Sequence, residues 1–369
     1  MSKKIVVSGI NLVDGGALSV YYDFLDSVIE SENYKRNDYI ILVSQKELFK
    51  KYRDKLKIIE FPKSKKSWIL RIYYEYYYFY RLSKQIKPDI WLSMHDITPN
   101  VIAKKRFVYC HNPSPFYKMP FSKIKYGWKY YAFSKFYKYL YKINIKKNTS
   151  IIVQQQWMAN EFKKMFGVNK IIVAHPSISA EKINDFKYNQ DNVFKFIYPS
   201  FPRVYKNFEL LCEATKKLLK DNPELKFKVL VTLRGNENNY ASMLLNKYKH
   251  VSNLEFIGLI DRSKLFELYG KMDCLIFISK LETWGMPISE FEFTNKKIIA
   301  SKLPYAYETV GSYSNATFVD VNSVEDLEEK MKQAILTKSF KNINRQEKSS
   351  NYLYANNWKK LINIIQNYD

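Results

Sequence analysis

Apolar residues along this chain fall into short runs, separated by longer stretches in which they recur every three or four positions. The runs Ile5–Gly9, Tyr39–Ser44, Lys57–Phe61, Ile90–Ser93, Phe107–Cys110, Ile151–Gln154 and Lys170–Ala174 have the length and residue types of β-strands. Helical spacing fills 17–30, 46–54, 67–87, 122–146 and 157–166 between them. Strands that alternate with helices and are apolar throughout predict a parallel sheet covered on both faces. Residues 177–193 break the pattern with Ser, Asn and Asp and read as a linker. A second alternating set follows, with strands at Phe194–Pro199, Phe227–Leu233, Cys274–Ser279 and Lys297–Ser301 and helices at 207–221 and 240–249. Ser323, with an acid three positions on, forms a capping-box pattern at the start of a helix over 323–338. Tyr354, Trp358, Leu361, Ile362 and Ile365 mark a last helix within 351–368. The expected division is one α/β domain over 1–180, joined by the final segment 351–369, and a second over 190–350.

Candidate chemistry collects at the carboxyl ends of these strands, where ligands bind in open α/β sheets. The segment Glu282-Thr-Trp-Gly-Met-Pro-Ile-Ser-Glu290 follows the run Cys274–Ser279 and opens into a helix. Gly285 lets backbone approach a ligand closely, and Pro287 suits a first helical turn, whose N–H groups are free to hold an anion. A sugar diphosphate offers hydroxyls to the carboxylates and anionic oxygens to the N–H groups. Spacing alone is equally compatible with two wet faces of one helix. Arg203 and Lys206 end the run Phe194–Pro199, in front of a helix whose macrodipole disfavours cations unless an anion is bound. In the first domain, Gly15-Gly16 lies between the first strand and its helix, as a phosphate or sugar contact or as a plain turn. His111 closes the run Phe107–Cys110 before a Pro-rich loop, and His95-Asp96 closes the strand before it.

The Glu-x7-Glu spacing with its inner Gly-x-Pro resembles the donor-site motif of retaining glycosyltransferases of family 4 (group 1 glycosyltransferases). The flanks agree: Asn253–Gly258 resembles that family's strand-plus-Gly, Arg262–Tyr269 its next helix, and Ser301–Gly311 the loop after the motif. The resemblance covers roughly 195–340 well and the first half loosely. It implies the GT-B fold: two Rossmann-like, doubly wound domains facing a central cleft, with the C-terminal helix crossing back to the first. It implies a hexosyltransferase that uses a nucleotide sugar. Lys206 and Arg203 would hold the diphosphate, although the family spaces this pair about five apart rather than three. Glu290 would bind the ribose. Glu282 would meet the donor sugar, and the backbone from Thr283 through Trp284 and Gly285 to Met286 would touch sugar and phosphate. His111 would line the acceptor side, with His111, Glu282 and Lys206 as the catalytic set; by position at a strand end, and not by the resemblance, His95 and Asp96 would line the same cleft. Two positions depart from the pattern: Phe291 stands where Ala is usual, and Lys296 or Lys297 where Gly is usual.

Composition narrows the setting. Three scattered cysteines fit a reducing compartment and no disulfide frame. The N-terminus reads as a first strand and not a signal peptide, and no apolar run is long enough to span a membrane. A formal charge of +24 points to an anionic partner, although the abundance of Lys, Asn, Ile, Tyr and Phe together also fits AT-rich coding. Segment 117–147 mixes Lys with aromatics and has no acid, as in helices that lie on anionic membranes, and 63–87 is a weaker case. The expectation is a cytoplasmic enzyme held peripherally at the inner membrane face. It would act on a lipid-linked glycan in bacterial surface polysaccharide biosynthesis, of the lipopolysaccharide or capsule kind. No cofactor, metal ion or nucleic acid is expected, since no Asp-x-Asp or metal-ligand spacing is present. Two rivals are a GT-B nucleotide-sugar epimerase and a non-enzymic basic protein that binds membrane or nucleic acid.

Overall fold

The structure is a computed structural model that describes residues 2–176, 192–341 and 352–368. Its chain forms two compact units. The first is Met1–Phe116 with Ser134–Ser177 and Ser349–Asp369, and the second is Tyr117–Phe133 with Ile178–Lys348. One stretch differs from the division expected above: Tyr117–Phe133 clusters with the second unit.

In the first unit the strands are β1 (Lys4–Gly9), β2 (Asp38–Val43), β3 (Lys57–Glu60), β4 (Ile90–Ser93), β5 (Lys105–Cys110), β6 (Ser150–Val153), β7 (Ile171–Ala174) and β14 (Leu353–Ala355). The helices are α1 (Gly15–Glu30), α2 (Asn33–Arg36), α3 (Trp68–Tyr73), α4 (Phe79–Ile86), α5 (Trp128–Lys142, its first turns clustering with the second unit), α6 (Gln156–Phe166) and α13 (Trp358–Gln366). Among the described residues the sheet order is β14-β7-β6-β5-β4-β1-β2-β3, and every pairing is parallel. Alternate strand residues feed two cores, so the strands read as apolar throughout. One face packs Val7, Ile41 and Leu92 with α1 and α13. The other packs Val6, Ile40 and Trp91 with Phe61 and Phe79. Trp358 of α13 meets Phe24 edge-on at 5.8 Å, so the C-terminal helix closes on the first unit.

The second unit carries β8 (Phe194–Tyr198), α7 (Phe208–Asp221), β9 (Phe227–Val231), α8 (Asn239–Tyr248), β10 (Leu254–Phe256), α9 (Arg262–Lys271) and β11 (Cys274–Phe277). It continues with α10 (Met286–Glu292), β12 (Lys297–Ser301), α11 (Pro304–Val310), β13 (Ala316–Val319) and α12 (Val324–Leu336). Its sheet order, β10-β9-β8-β11-β12-β13, is again all parallel. Both sheets therefore repeat the dinucleotide-fold order 3-2-1-4-5-6. The order reverses at β1/β4 in one and β8/β11 in the other, which are the crevices where such sheets bind ligands.

Several elements depart from the periodicity. The helix expected over 67–87 is split by a π-helical turn at Tyr74–Tyr78. The one expected over 122–146 begins only at Trp128, after a 3-10 turn at Phe121–Tyr126 and Gly127. The last segment first adds β14 to the sheet edge beside β7. Only then does α13 start, where the Asn357 side chain accepts from Lys360 N at 2.8 Å. Asn295, at φ +57, takes the left-handed position before β12 that Gly usually fills. That frees Lys296 and Lys297 to donate to the carbonyls of Gly270, Met272 and Ala334.

Candidate active site

The second unit brings Lys206 and the segment from Glu282 to Met286 to its switch point. β8 and β11 are hydrogen-bonded neighbours, and their exit loops are tied where Lys280 N donates to Tyr205 O at 2.7 Å. Lys206 ends a short turn on the β8 loop and forms an ion pair with Glu282 on the β11 loop. Each of these side chains is 15% exposed, so the pair is shielded yet reachable. The Lys206 ammonium also lies 5.5 Å from the Phe277 ring centroid. Gly285 turns the chain into α10 at φ +91, with Phe277 3.2 Å from where a Cβ would stand, so only Gly suits this corner. Thr283 and Met286 flank it half-buried. The Trp284 indole is buried and donates to Ser289 Oγ at 3.0 Å, while its carbonyl accepts from the Thr309 hydroxyl.

Glu290 is buried, and its carboxylate already has partners. Oε1 accepts from Arg262 at 3.1 Å (Nε) and 2.9 Å (Nη2), and Oε2 from the Tyr269 hydroxyl at 3.3 Å. A carboxylate has about four lone-pair sites, so little capacity remains for two ribose hydroxyls unless Arg262 turns away. Arg262 and Tyr269 are the partners of Glu290 that the sequence reading missed. Only their i,i+7 placement on α9, which puts both on one face, could have pointed to them. Arg203 lies three residues before Lys206 but is not part of its ion pair. Its guanidinium donates to the Tyr205 hydroxyl at 3.2 Å and lies over the Phe201 ring.

In the first unit the switch-point loops are those after β1 and β4, and the loop after β5 lies beside that of β4. Gly15, at φ +68, and Gly16 start α1, and nothing lies within 4 Å of a Cβ built on either, so their backbone borders open space. His95 does not face a ligand as expected, for it is fully buried. Its Nε2 lies 3.2 Å from Ser8 Oγ and 3.3 Å from Glu75 Oε1, and its Nδ1 lies 3.3 Å from Arg71 Nη2. Burial, followed by the positive charge of Arg71, holds the imidazole well below its usual pKa, so it is neutral. Burial likewise pushes the Glu75 carboxyl up to about 8, against the opposing pull of Arg71.

Asp96 is a positioning residue. It sits at φ +73, a conformation that Asp tolerates because its short side chain bonds nearby backbone. Its Oδ1 accepts from His111 N at 2.7 Å, Asn112 N at 3.1 Å and the Tyr141 hydroxyl at 2.9 Å, while Oδ2 accepts from the Tyr137 hydroxyl at 3.0 Å. The inner face of α5 thus fixes Asp96, and Asp96 fixes the start of the His111 loop. The His111 side chain remains 14% exposed, with Nε2 3.6 Å from Asp96 Oδ2.

Residues 179–354 match the family model for glycosyl transferases group 1. No curated protein matches the chain in sequence. Among solved structures it is similar to a glycosyltransferase from Rickettsia africae, with TM-score 0.65 and 18% identity over 90% of this chain and 88% of that one. It is similar to HepE from Anabaena in complex with UDP and glucose, with TM-score 0.60 and 13% identity over 90% of each chain. It is also similar to WaaG, a glycosyltransferase involved in lipopolysaccharide biosynthesis, with TM-score 0.62 and 12% identity over 90% of each chain. At these identities the likeness fixes the fold, which is GT-B.

Proposed function

We propose that this protein is a group 1 glycosyltransferase that moves a hexose from a nucleotide sugar to a lipid-linked glycan acceptor, with retention at the anomeric carbon, in the assembly of a bacterial surface polysaccharide. The observation that carries the reading is the shielded Lys206–Glu282 pair at the β8/β11 switch point. An arriving diphosphate competes with Glu282 for the Lys206 ammonium. Lys206 then neutralises charge growing on the leaving phosphate, the term that weighs most in such transfers. Glu282, released, accepts from donor-sugar hydroxyls and faces the positive charge that develops at the anomeric carbon. Glu290, oriented by Arg262 and Tyr269, serves the ribose. Lys206, with Arg203 nearby, supplies the positive charge, so no metal is required. Among the described residues we assign no side chain as a nucleophile. The acceptor attacks from the leaving-group face, and a diphosphate oxygen takes its proton. His111, oriented through Asp96, serves the acceptor side.

A lipid-linked acceptor calls for a membrane-facing surface. Among the described residues no helix is long and apolar enough to cross a membrane. In α5 Tyr137 and Tyr141 point inward, while Phe136 and Tyr139, with Ile143 just past the helix end, are exposed among Lys135, Lys138 and Lys142. Such a face suits the headgroup layer of an anionic bilayer. The deciding experiment is release of nucleoside diphosphate from a panel of nucleotide sugars, with EDTA present and with or without membrane extract. Release stimulated by the extract is expected for at least one donor. Absence of release with every donor, or strict dependence on added metal, overturns the reading.

A further inference from the structure

The stretch Tyr117–Phe133 makes a second recess in the second unit. It docks on the β8 exit loop and on α7. Tyr117 and Tyr130 pack on Tyr205 with centroids at 5.8 and 5.3 Å, and Lys123 forms an ion pair with Glu209. Tyr126 packs on Tyr240 at 6.1 Å. Beside these contacts a pocket of about 600 Å³ opens between residues 119–130 on one side and 201–204 and 238–240 on the other. That is an ordinary volume for a small-molecule site.

Its chemistry is specific. Three cations line it, Lys125, Lys129 and Arg203, and no carboxylate does. Each cation lies near a ring: Lys125 over Tyr126 at 5.0 Å, Lys129 over Trp128 at 5.9 Å and Arg203 over Phe201 at 5.6 Å. Trp128 and Phe201 are 61% and 42% exposed, so aromatic surface is left for a ligand. Asn238 is spent on capping α8 and on Pro202 O, but Asn239 is exposed and offers an amide to hydroxyls. Aromatic faces take the C–H face of a pyranose, and three cations in a lining that holds no carboxylate call for an anion. Of the side chains proposed for the donor, Arg203 lines the pocket, whereas Lys206, Glu282 and Glu290 do not.

We infer that this pocket binds a phosphorylated sugar, namely the phosphate-bearing end of the acceptor. The inference rests on the glycosyl-transfer reading for its biological ligand, but not for the binding itself. The opposing source of the same chemistry is the sugar phosphate portion of the donor, and the test separates the two. Saturation-transfer NMR on the full chain, with glucose 1-phosphate, glucose and inorganic phosphate as probes, is repeated with excess UDP. Glucose 1-phosphate is expected to bind at least about tenfold more tightly than either fragment and to stay bound in the presence of UDP. A double Trp128→Ala, Lys129→Ala variant, at exposed positions, should weaken glucose 1-phosphate about tenfold while calorimetry gives an unchanged UDP affinity. Lys125→Glu with Lys129→Glu should do the same by charge alone. Displacement by UDP, wild-type binding in both variants, or no preference for glucose 1-phosphate would each overturn the inference. If UDP fails to bind the wild type while glucose 1-phosphate binds as described, the donor-site reading falls and the pocket stands.

Discussion

Asp96→Asn tests how the first unit holds His111. The carboxylate accepts four hydrogen bonds, from His111 N, Asn112 N and the hydroxyls of Tyr137 and Tyr141. Bonds to a charged group contribute about 1.5–3 kcal/mol and neutral ones about 0.5–1.5, so neutralising the group weakens each by roughly 1 kcal/mol. The four share one side chain and do not add fully, which gives a total near 2–4 kcal/mol. For a unit of this size, a melting point lower by roughly 5–15 °C follows. The His111 loop loosens with it, and a shift of about 1 Å in a positioned group costs on the order of 10²-fold in rate. UDP affinity should stay within about twofold, because the proposed donor residues belong to the other unit. Calorimetric melting, UDP titration and a transfer assay read the three quantities separately. Unchanged melting with near-normal transfer would refute the positioning role. Parallel loss of UDP binding and transfer would show that Asp96 acts on the whole chain and not on the His111 loop.

Other expectations follow from the same geometry. Lys206→Ala should lower turnover by about 10²–10³ with little change in melting, by analogy with removal of one preorganised donor; near-normal turnover on a verified donor excludes the role. Glu290→Ala removes the charged acceptor proposed for two ribose hydroxyls, so UDP affinity should fall by about 10–100-fold, while an unchanged Kd by calorimetry would take Glu290 out of the donor site. Glu75 carries a carboxyl raised to about 8 by burial, so the folded chain keeps a proton that the unfolded chain loses above the ordinary carboxylate range. That contribution is present at low pH and is lost as pH rises from the ordinary range through about 8. Glu75→Gln should therefore gain stability over wild type between pH 5.5 and 8.5, and a difference in urea midpoint that does not grow with pH would count against it. Changing Lys135, Lys138, Lys142 and Lys146 together to Glu should abolish co-sedimentation with anionic vesicles and leave UDP binding intact; persistent sedimentation, or none by the wild type, removes the membrane face.

Strands were the most legible elements, because parallel strands buried on both faces write themselves as unbroken apolar runs. β4 and β6 match the sequence reading closely. Helix interiors were less legible where tertiary contacts override the period. The π-helical turn at Tyr74–Tyr78 places Glu75 in the core beside Arg71 and His95, and no local pattern distinguishes it from a regular turn. The strand at Leu353–Ala355 was missed because three residues at a sheet edge carry too short a pattern, and only β7 makes them a strand.

Local pattern was enough to set the alternation of strands and helices, the Gly285 corner and the placing of Glu282, Lys206 and His111 at the carboxyl ends of strands. These depend on periodicity and on backbone conformations that few residues allow, which are local properties. Tertiary structure alone decided which polar groups spend their charge on each other. It closed Lys206 on Glu282 and Arg262 on Glu290. It buried His95, which position alone had offered to an acceptor. It also turned Tyr117–Phe133, read along the chain as a uniform basic–aromatic stretch, into one wall of a pocket. Partner choice between residues far apart in sequence follows from the distances and desolvation that folding creates, and a one-dimensional pattern does not contain them.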